Sequence, residues 1–257
     1  MKVLRAEWIK LTSVKSPIWC AILVVVIGVA MAGLIGWVAR TSRANADQFG
    51  GQTIPFGIGD ALSGVSGLGT MVLMVLGALA ITSEYRFGLI RTTFQALPRR
   101  TTVLIGKAVV YGLFGAVVSA VAAGGAILVA RMVAGSEFAP DLSFDAPGAW
   151  RELYGVPIVA FLAVVLAVGV GALLRQSAAA IAVLLLWSLL VESLVPLFGS
   201  VGREITPFLP FVNANHFLGM TSTIEFHWGP WGSLLYFAAV VLVIGAAAAA
   251  LVERRDA

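Results

Sequence analysis

Six long apolar runs leave this chain little choice of fold: residues 17–39, 62–82, 102–133, 155–174, 178–198 and 231–252. A helix needs about 20 apolar residues to cross the roughly 30 Å hydrocarbon core of a bilayer, and each run supplies that. Charges cluster in short islands between the runs. Only 12% of the residues are charged and 60% are hydrophobic, about half the charge of an ordinary soluble domain. The mean hydropathy is +0.97. The expected fold is an all-α polytopic membrane protein, a single transmembrane domain over residues 1–257 with six transmembrane helices. No cleavable signal peptide is expected, because the first apolar run is too long for a signal core. The single cysteine, Cys20, excludes an intrachain disulfide.

Orientation follows from the basic residues. Six spans place both termini on one side. With that side in the cytoplasm, twelve of the seventeen Lys and Arg residues fall inside. Arg40, Arg43, Arg131, Arg151 and Arg203 fall outside, so the positive-inside rule selects a multi-pass cell-membrane protein with cytoplasmic termini. The acidic Glu137, Asp141, Asp145, Glu152, Glu204 and Glu225 all lie in outer segments. The net charge of +4 is then mostly a topology signal, and nucleic-acid binding has no soluble domain to support it. Six of the seven tryptophans sit near run ends, where amphipathic rings prefer the headgroup level.

The connections carry further information. Residues 1–16 read as an amphipathic interfacial helix, with Leu4, Trp8 and Leu11 on one face and Lys2, Arg5 and Lys10 on another. The link at Arg175-Gln176-Ser177 forces the fourth and fifth spans into a tight antiparallel hairpin. Residues 199–230 mix Phe208, Leu209, Phe211, Phe217, Leu218 and Met220 with three prolines. So much apolar surface predicts a re-entrant segment that dips into the outer leaflet or caps the bundle before the last span.

Little here points to catalysis. No G-x-x-x-x-G-K-[ST] loop is present, so ATP hydrolysis by a P-loop would need another subunit. His216 and His227 lie eleven residues apart in an outer segment, too sparse for a metal site. Gly64-Val65-Ser66-Gly67 resembles the G-x-S-G of rhomboid intramembrane proteases, but a serine nucleophile needs a histidine base and no run contains one. Small residues at that density also serve close helix packing. Glu192 is the only acidic residue deep inside a run, with Ser188 one turn before it and Trp187 alongside. An intramembrane carboxylate must face a bundle interior or a cavity, either as a substrate-path group or as a polar contact to a neighbouring helix. Asp60, at the mouth of the second run, reads as a helix cap.

Between the second and third runs lies residues 83–100, which read as a short basic helix with Thr82 or Ser83 as its cap and Pro98 at its end. Glu84-Tyr85-Arg86-x-Gly88-x-Ile90-Arg91-Thr92-Thr93, then Pro98-Arg99-Arg100 and Lys107, resembles the permease subunits of type-2 ABC exporters. So does the opening Arg5-Ala6-Glu7-Trp8-Ile9-Lys10-Leu11. The resemblance covers the whole length, with Leu89 standing where a common variant has Thr. It implies that residues 83–100 form a cytoplasmic coupling helix, with Glu84, Tyr85, Arg86, Gly88, Ile90 and Arg91 contacting an ABC ATPase subunit in trans. It also implies a permease homodimer or close heterodimer, ATP and Mg bound by the ATPase, and a path touching Trp187, Ser188 and Glu192. The expected cargo is lipophilic: a drug, antibiotic or lipid. An ATP-independent secondary transporter and a structural membrane subunit are the competing classes. The former would place several ionisable residues mid-membrane.

Overall fold

The computed structural model describes residues 2–45, 54, 56–89, 100–135, 138, 140–145, 148–220 and 225–255. Among these it is 88% helix with no strand, and six helices are long and apolar enough to cross a membrane, as a multi-pass membrane protein requires. A short helix, α1 (Lys2–Ser13), leads into α2 (Ser16–Ala44), α3 (Ile58–Arg86), α4 (Arg100–Ala134) and α5 (Ala149–Leu174). Then come α6 (Ser177–Phe208), the short α7 (Pro210–Phe217) and α8 (Pro230–Arg255). At about 1.5 Å per residue the 35 residues of α4 span roughly 52 Å, so α4 outreaches the hydrocarbon core.

Each helix extends beyond its apolar run because local chemistry, not hydropathy, decides where it stops. Pro17 sits in the first turn of α2, where its missing N–H costs nothing. At the start of α3 the Asp60 carboxylate accepts the Gly57 N–H at 2.9 Å, as a cap should. The far end of α3 departs from the sequence expectation. Thr82 and Ser83 do not cap a new helix. Their hydroxyls donate to the carbonyls of Ala78 and Leu79, one turn back, as mid-helix residues do. The second span continues unbroken through Arg86 and ends at Gly88, whose φ of +70° supplies the left-handed residue that terminates a helix. Ile90 and Arg91, with the rest of 90–99, lie outside the described residues.

Burial grades the six long helices, with α4 intermediate at 44%. In the most apolar 18-residue stretch of α3 and of α5, 61% of residues are buried, against 17% for α2 and α6. The two buried helices therefore form the centre, and α2, α6 and α8 present broad apolar faces outward. Val26, Leu34, Leu189, Leu190, Leu242 and Val243 are among the exposed side chains. In water such a surface would aggregate; in a bilayer it is the solvent-facing side. Trp8, Trp19, Trp37, Trp150 and Trp231 are exposed as well.

Small residues let the central helices meet. A Cβ built at Gly77 of α3 would lie 3.0 Å from the Val164 carbonyl oxygen and 3.3 Å from the Ala167 Cβ of α5. One built at Gly171 would lie 2.6 Å from Ile81 Cγ2. These contacts are the close approach that holds helices together where lipid removes any hydrophobic drive. The hairpin of α5 and α6 turns at Arg175, in the left-handed region at φ 56°, and Ser177 then donates to the Thr82 hydroxyl at 2.8 Å.

Gly199 (φ 66°) kinks α6 within its last third, and the stretch beyond it lies with α7 along the first half of α8. Tyr236 donates to the Phe208 carbonyl at 2.7 Å, and Phe211 and Phe237 meet with ring centroids 5.7 Å apart. Phe217 and Leu218 are fully buried against α5, where a Cβ at Gly155 would strike both. Leu209, Val212, Phe217 and Leu218 thus pack onto the bundle, while Val201, Ile205 and Phe208 stay exposed. Replacing Gly77 by leucine should push α3 and α5 apart and cost about 1–3 kcal/mol, the usual range for overpacking. Thermal unfolding in detergent measures it, and an unchanged midpoint would mean the two helices do not depend on that contact.

Candidate functional site

Three segments far apart in the chain converge at the end of the bundle that carries α1, the finish of α3 and the start of α4. The Glu84 Oε1 accepts from Lys10 Nζ and from Lys107 Nζ, each at 2.9 Å. Glu7 accepts from Lys107 at 2.5 Å and from Lys10 at 3.0 Å. Two carboxylates and two ammonium groups therefore close a neutral four-membered ring. Side-chain exposure is 1% for Lys107, 2% for Glu7, 8% for Glu84 and 42% for Lys10, so Lys10 is the mouth of the cluster. The Tyr111 ring lies 5.6 Å from the Lys107 Nζ. Half-burial alone disfavours a charge on Lys10, yet Glu84 and Glu7 outweigh it and raise that ammonium above its usual 10.5.

Packing sets up the geometry. A Cβ at Gly106 of α4 would lie 2.7 Å from Val3 Cγ1, so that glycine admits α1 against α4. The inward face of α1 carries Val3, Glu7, Lys10 and Leu11, at the i, i+4, i+7, i+8 spacing of a helix stripe. Of the apolar residues of this helix Leu11 is buried while Leu4 and Trp8 are 44% and 55% exposed, and the acidic Glu7 is buried beside Leu11. A charge goes inward because two lysines wait for it there.

The residues singled out for coupling split into two groups. Glu84 belongs to the ion cluster, and the Tyr85 ring lies 4.8 Å from the Arg175 guanidinium. Both face the bundle. Arg86, Phe87, Gly88 and Leu89 are exposed at its surface. One oxygen of Glu84, Oε2, is buried without a hydrogen-bond partner. The sequence reading counted Lys10 and Lys107 only as topology charges and motif members. A lysine five residues inside an apolar run was the available signal that a buried counter-charge exists.

Trp187, Ser188 and Glu192 occupy a wide π-helical turn of α6, Trp187–Val191, and the residue after it. Glu192 is 5% exposed. Its carboxylate accepts from the Trp187 indole at 3.0 Å and from the backbone N–H groups of Phe211 and Val212 at 3.0 and 2.7 Å. It thus caps the N-terminus of α7 across space, satisfying amides that the helix itself cannot. Among the described residues Ser188 bonds to the Leu185 carbonyl of its own helix and not to this contact.

Ser66 lies in a second π-helical turn, Val65–Gly69, and its hydroxyl meets the carbonyls of Leu62 and Ser63 and the sulfur of Met220. Neither histidine is among its partners. His216 instead pairs through Nδ1 with Ser233 at 2.7 Å and stacks on Phe226 at 3.7 Å. At the end away from the ion cluster, a cavity of about 500 Å³ gathers Asp60, Asp141 and Glu152. Among the described residues no three His, Cys, Asp or Glu side chains converge as metal ligands would.

Two outcomes test this chemistry. Lys107→Met removes a buried cation and leaves Lys10 alone to balance two carboxylates, which should cost about 3–5 kcal/mol, as breaking a buried pair does. Adding Glu7→Gln should recover part of that loss in thermal unfolding, and strictly additive effects would deny the coupling. His216 titrates below its usual 6.5 because burial, then the Arg151 charge, disfavour its protonation. Its contribution is therefore complete above about 6.5 and is lost as pH falls through the lowered value. Stability should decline on acidification, and His216→Gln should flatten that slope.

In comparisons with known proteins, no family model matches the chain and no curated protein matches it.

Proposed function

We propose that this chain is the membrane-spanning permease subunit of an ATP-driven type-2 ABC exporter, moving a lipophilic substrate with energy from a separate ATPase subunit. The observation that carries the reading is the ion cluster. The three short segments on which the sequence resemblance rests are far apart in the chain: Glu7 and Lys10, Glu84, and Lys107. They are the same residues that pair with one another. In this scheme the cluster end faces the cytoplasm, in keeping with the basic residues gathered there. ATP and Mg belong to the partner ATPase.

The mechanics follow from rigidity. An ATPase that closes on ATP would press on the surface at Arg86-Phe87-Gly88-Leu89, directly below Glu84. Glu84 is tied to α1 through Lys10 and to α4 through Lys107, so the push reaches three elements together. The unbroken helix α3 then carries it into the centre of the bundle, where α3 packs on α5. A displacement shared by packed elements is how a local contact biases two arrangements of a whole domain. Two copies of the chain would form the working unit.

Mild-detergent purification should bring down a P-loop ATPase subunit. Phe87→Asp, on the exposed surface, should abolish that association and ATP-coupled transport with little change in thermal stability. Gly88→Val should also uncouple transport, since a β-branched residue resists a φ of +70°. Glu84→Gln should lose both stability and coupling. Full-rate transport by the purified chain with no ATPase present would refute the reading.

A further inference from the structure

Between α5, α6 and α8, under the start of α7, lies a cavity of about 220 Å³ lined by Val170, Leu184, Trp187, Phe211, Val240 and Ile244 among others. Every lining side chain is apolar apart from the indole N–H of Trp187, and that N–H is turned to Glu192. The backbone N–H of the lining residue Phe211 is committed to the same carboxylate. The cavity therefore makes no hydrogen-bond demand, and water, which needs two to four polar partners, has nothing to hold it. Its rim is open on the outward face, where Val183 and Trp187 are 48% and 41% exposed.

Depth identifies the occupant. Val240 and Ile244 lie near the middle of the 26-residue α8, and Leu166 and Val170 lie in the second half of α5. At that height the surroundings are bilayer hydrocarbon. We infer that the cavity is a binding site for one acyl chain of a membrane lipid, which enters laterally past Val183 and Trp187 and fills the space beneath α7. The volume takes a run of several methylenes and excludes a headgroup. Glu192, by fixing Trp187 and the first amides of α7, shapes the roof over the chain end. The chain stands in for packing that α6 and α8 do not supply to each other there. This site does not rest on the permease reading, and its test uses the isolated protein without nucleotide.

The experiment places the purified protein in phosphatidylcholine nanodiscs containing a lipid with a diazirine at mid-chain, followed by photolysis and peptide mass spectrometry. Labelling should be several-fold higher on Leu184 and Val240 than on Leu242, although Leu184 is only 3% exposed and Leu242 is 72% exposed. Val240→Phe fills the cavity and should reduce the Leu184 label to the Leu242 level, with Leu242 itself unchanged. Ile244→Phe gives the same readout should the first variant fold poorly. Labelling that merely follows surface exposure in the wild-type protein overturns the inference. So does Leu184 labelling that survives both fillings.

Discussion

The requirement that buried charge be matched shapes the end of this bundle where α1, α3 and α4 meet. An ammonium group removed from water is tolerable only beside carboxylates at hydrogen-bond distance, and Lys107 has two. Those carboxylates arrive on different helices, so the pairing fixes the rotation and axial position of α1 and α3 against α4 together. A slip of one residue along any of the three would move its charge by about 100° around the helix and leave the others unpaired. Apolar packing tolerates such slips far better, since one aliphatic side chain substitutes readily for another. The cluster supplies the specificity that a uniformly greasy surface lacks.

A similar economy governs the other buried carboxylate. Among the described residues Glu192 has no ion-pair partner, and its carboxylate accepts from one indole and two backbone amides. That converts a break in the last third of the chain into a defined joint. The helix start at Pro210 would otherwise bury donors without partners, a cost that an apolar environment magnifies.

How much of this could be read from the sequence depends on the range of the interactions concerned. The six long helices, the tight turn at Arg175 and the cap at Asp60 are set by residues within a turn or two of each other, and local pattern suffices for them. Apolar residues clustered between prolines pointed to a segment that dips into the outer leaflet or caps the bundle, and Phe217 and Leu218 within it are buried. The inward face of α1 was not legible: Glu7 looks like a solvated charge until Lys107, one hundred residues later, is placed beside it. Glu84 looked like the opening of a surface helix for the same reason, because its partner Lys10 is 74 residues away. The continuation of α3 past Ser83 was missed because serine and threonine serve both as caps and as mid-helix residues that bond back one turn, and composition does not distinguish the two.

The two π-helical turns have a consequence of their own. Each winds one residue more than an α-helical turn would, and at Val65–Gly69 the Thr70 hydroxyl bonds the Val65 carbonyl five residues back. Beyond such a turn every side chain is re-phased relative to those before it. In α6 this lets a single helix address two environments in succession: a stripe that serves α3 and α5 before Trp187, then a carboxylate aimed at α7 after Val191. The bulge acts as a gear change in the helix, and the partner each half meets is set by a count of residues as much as by their identity.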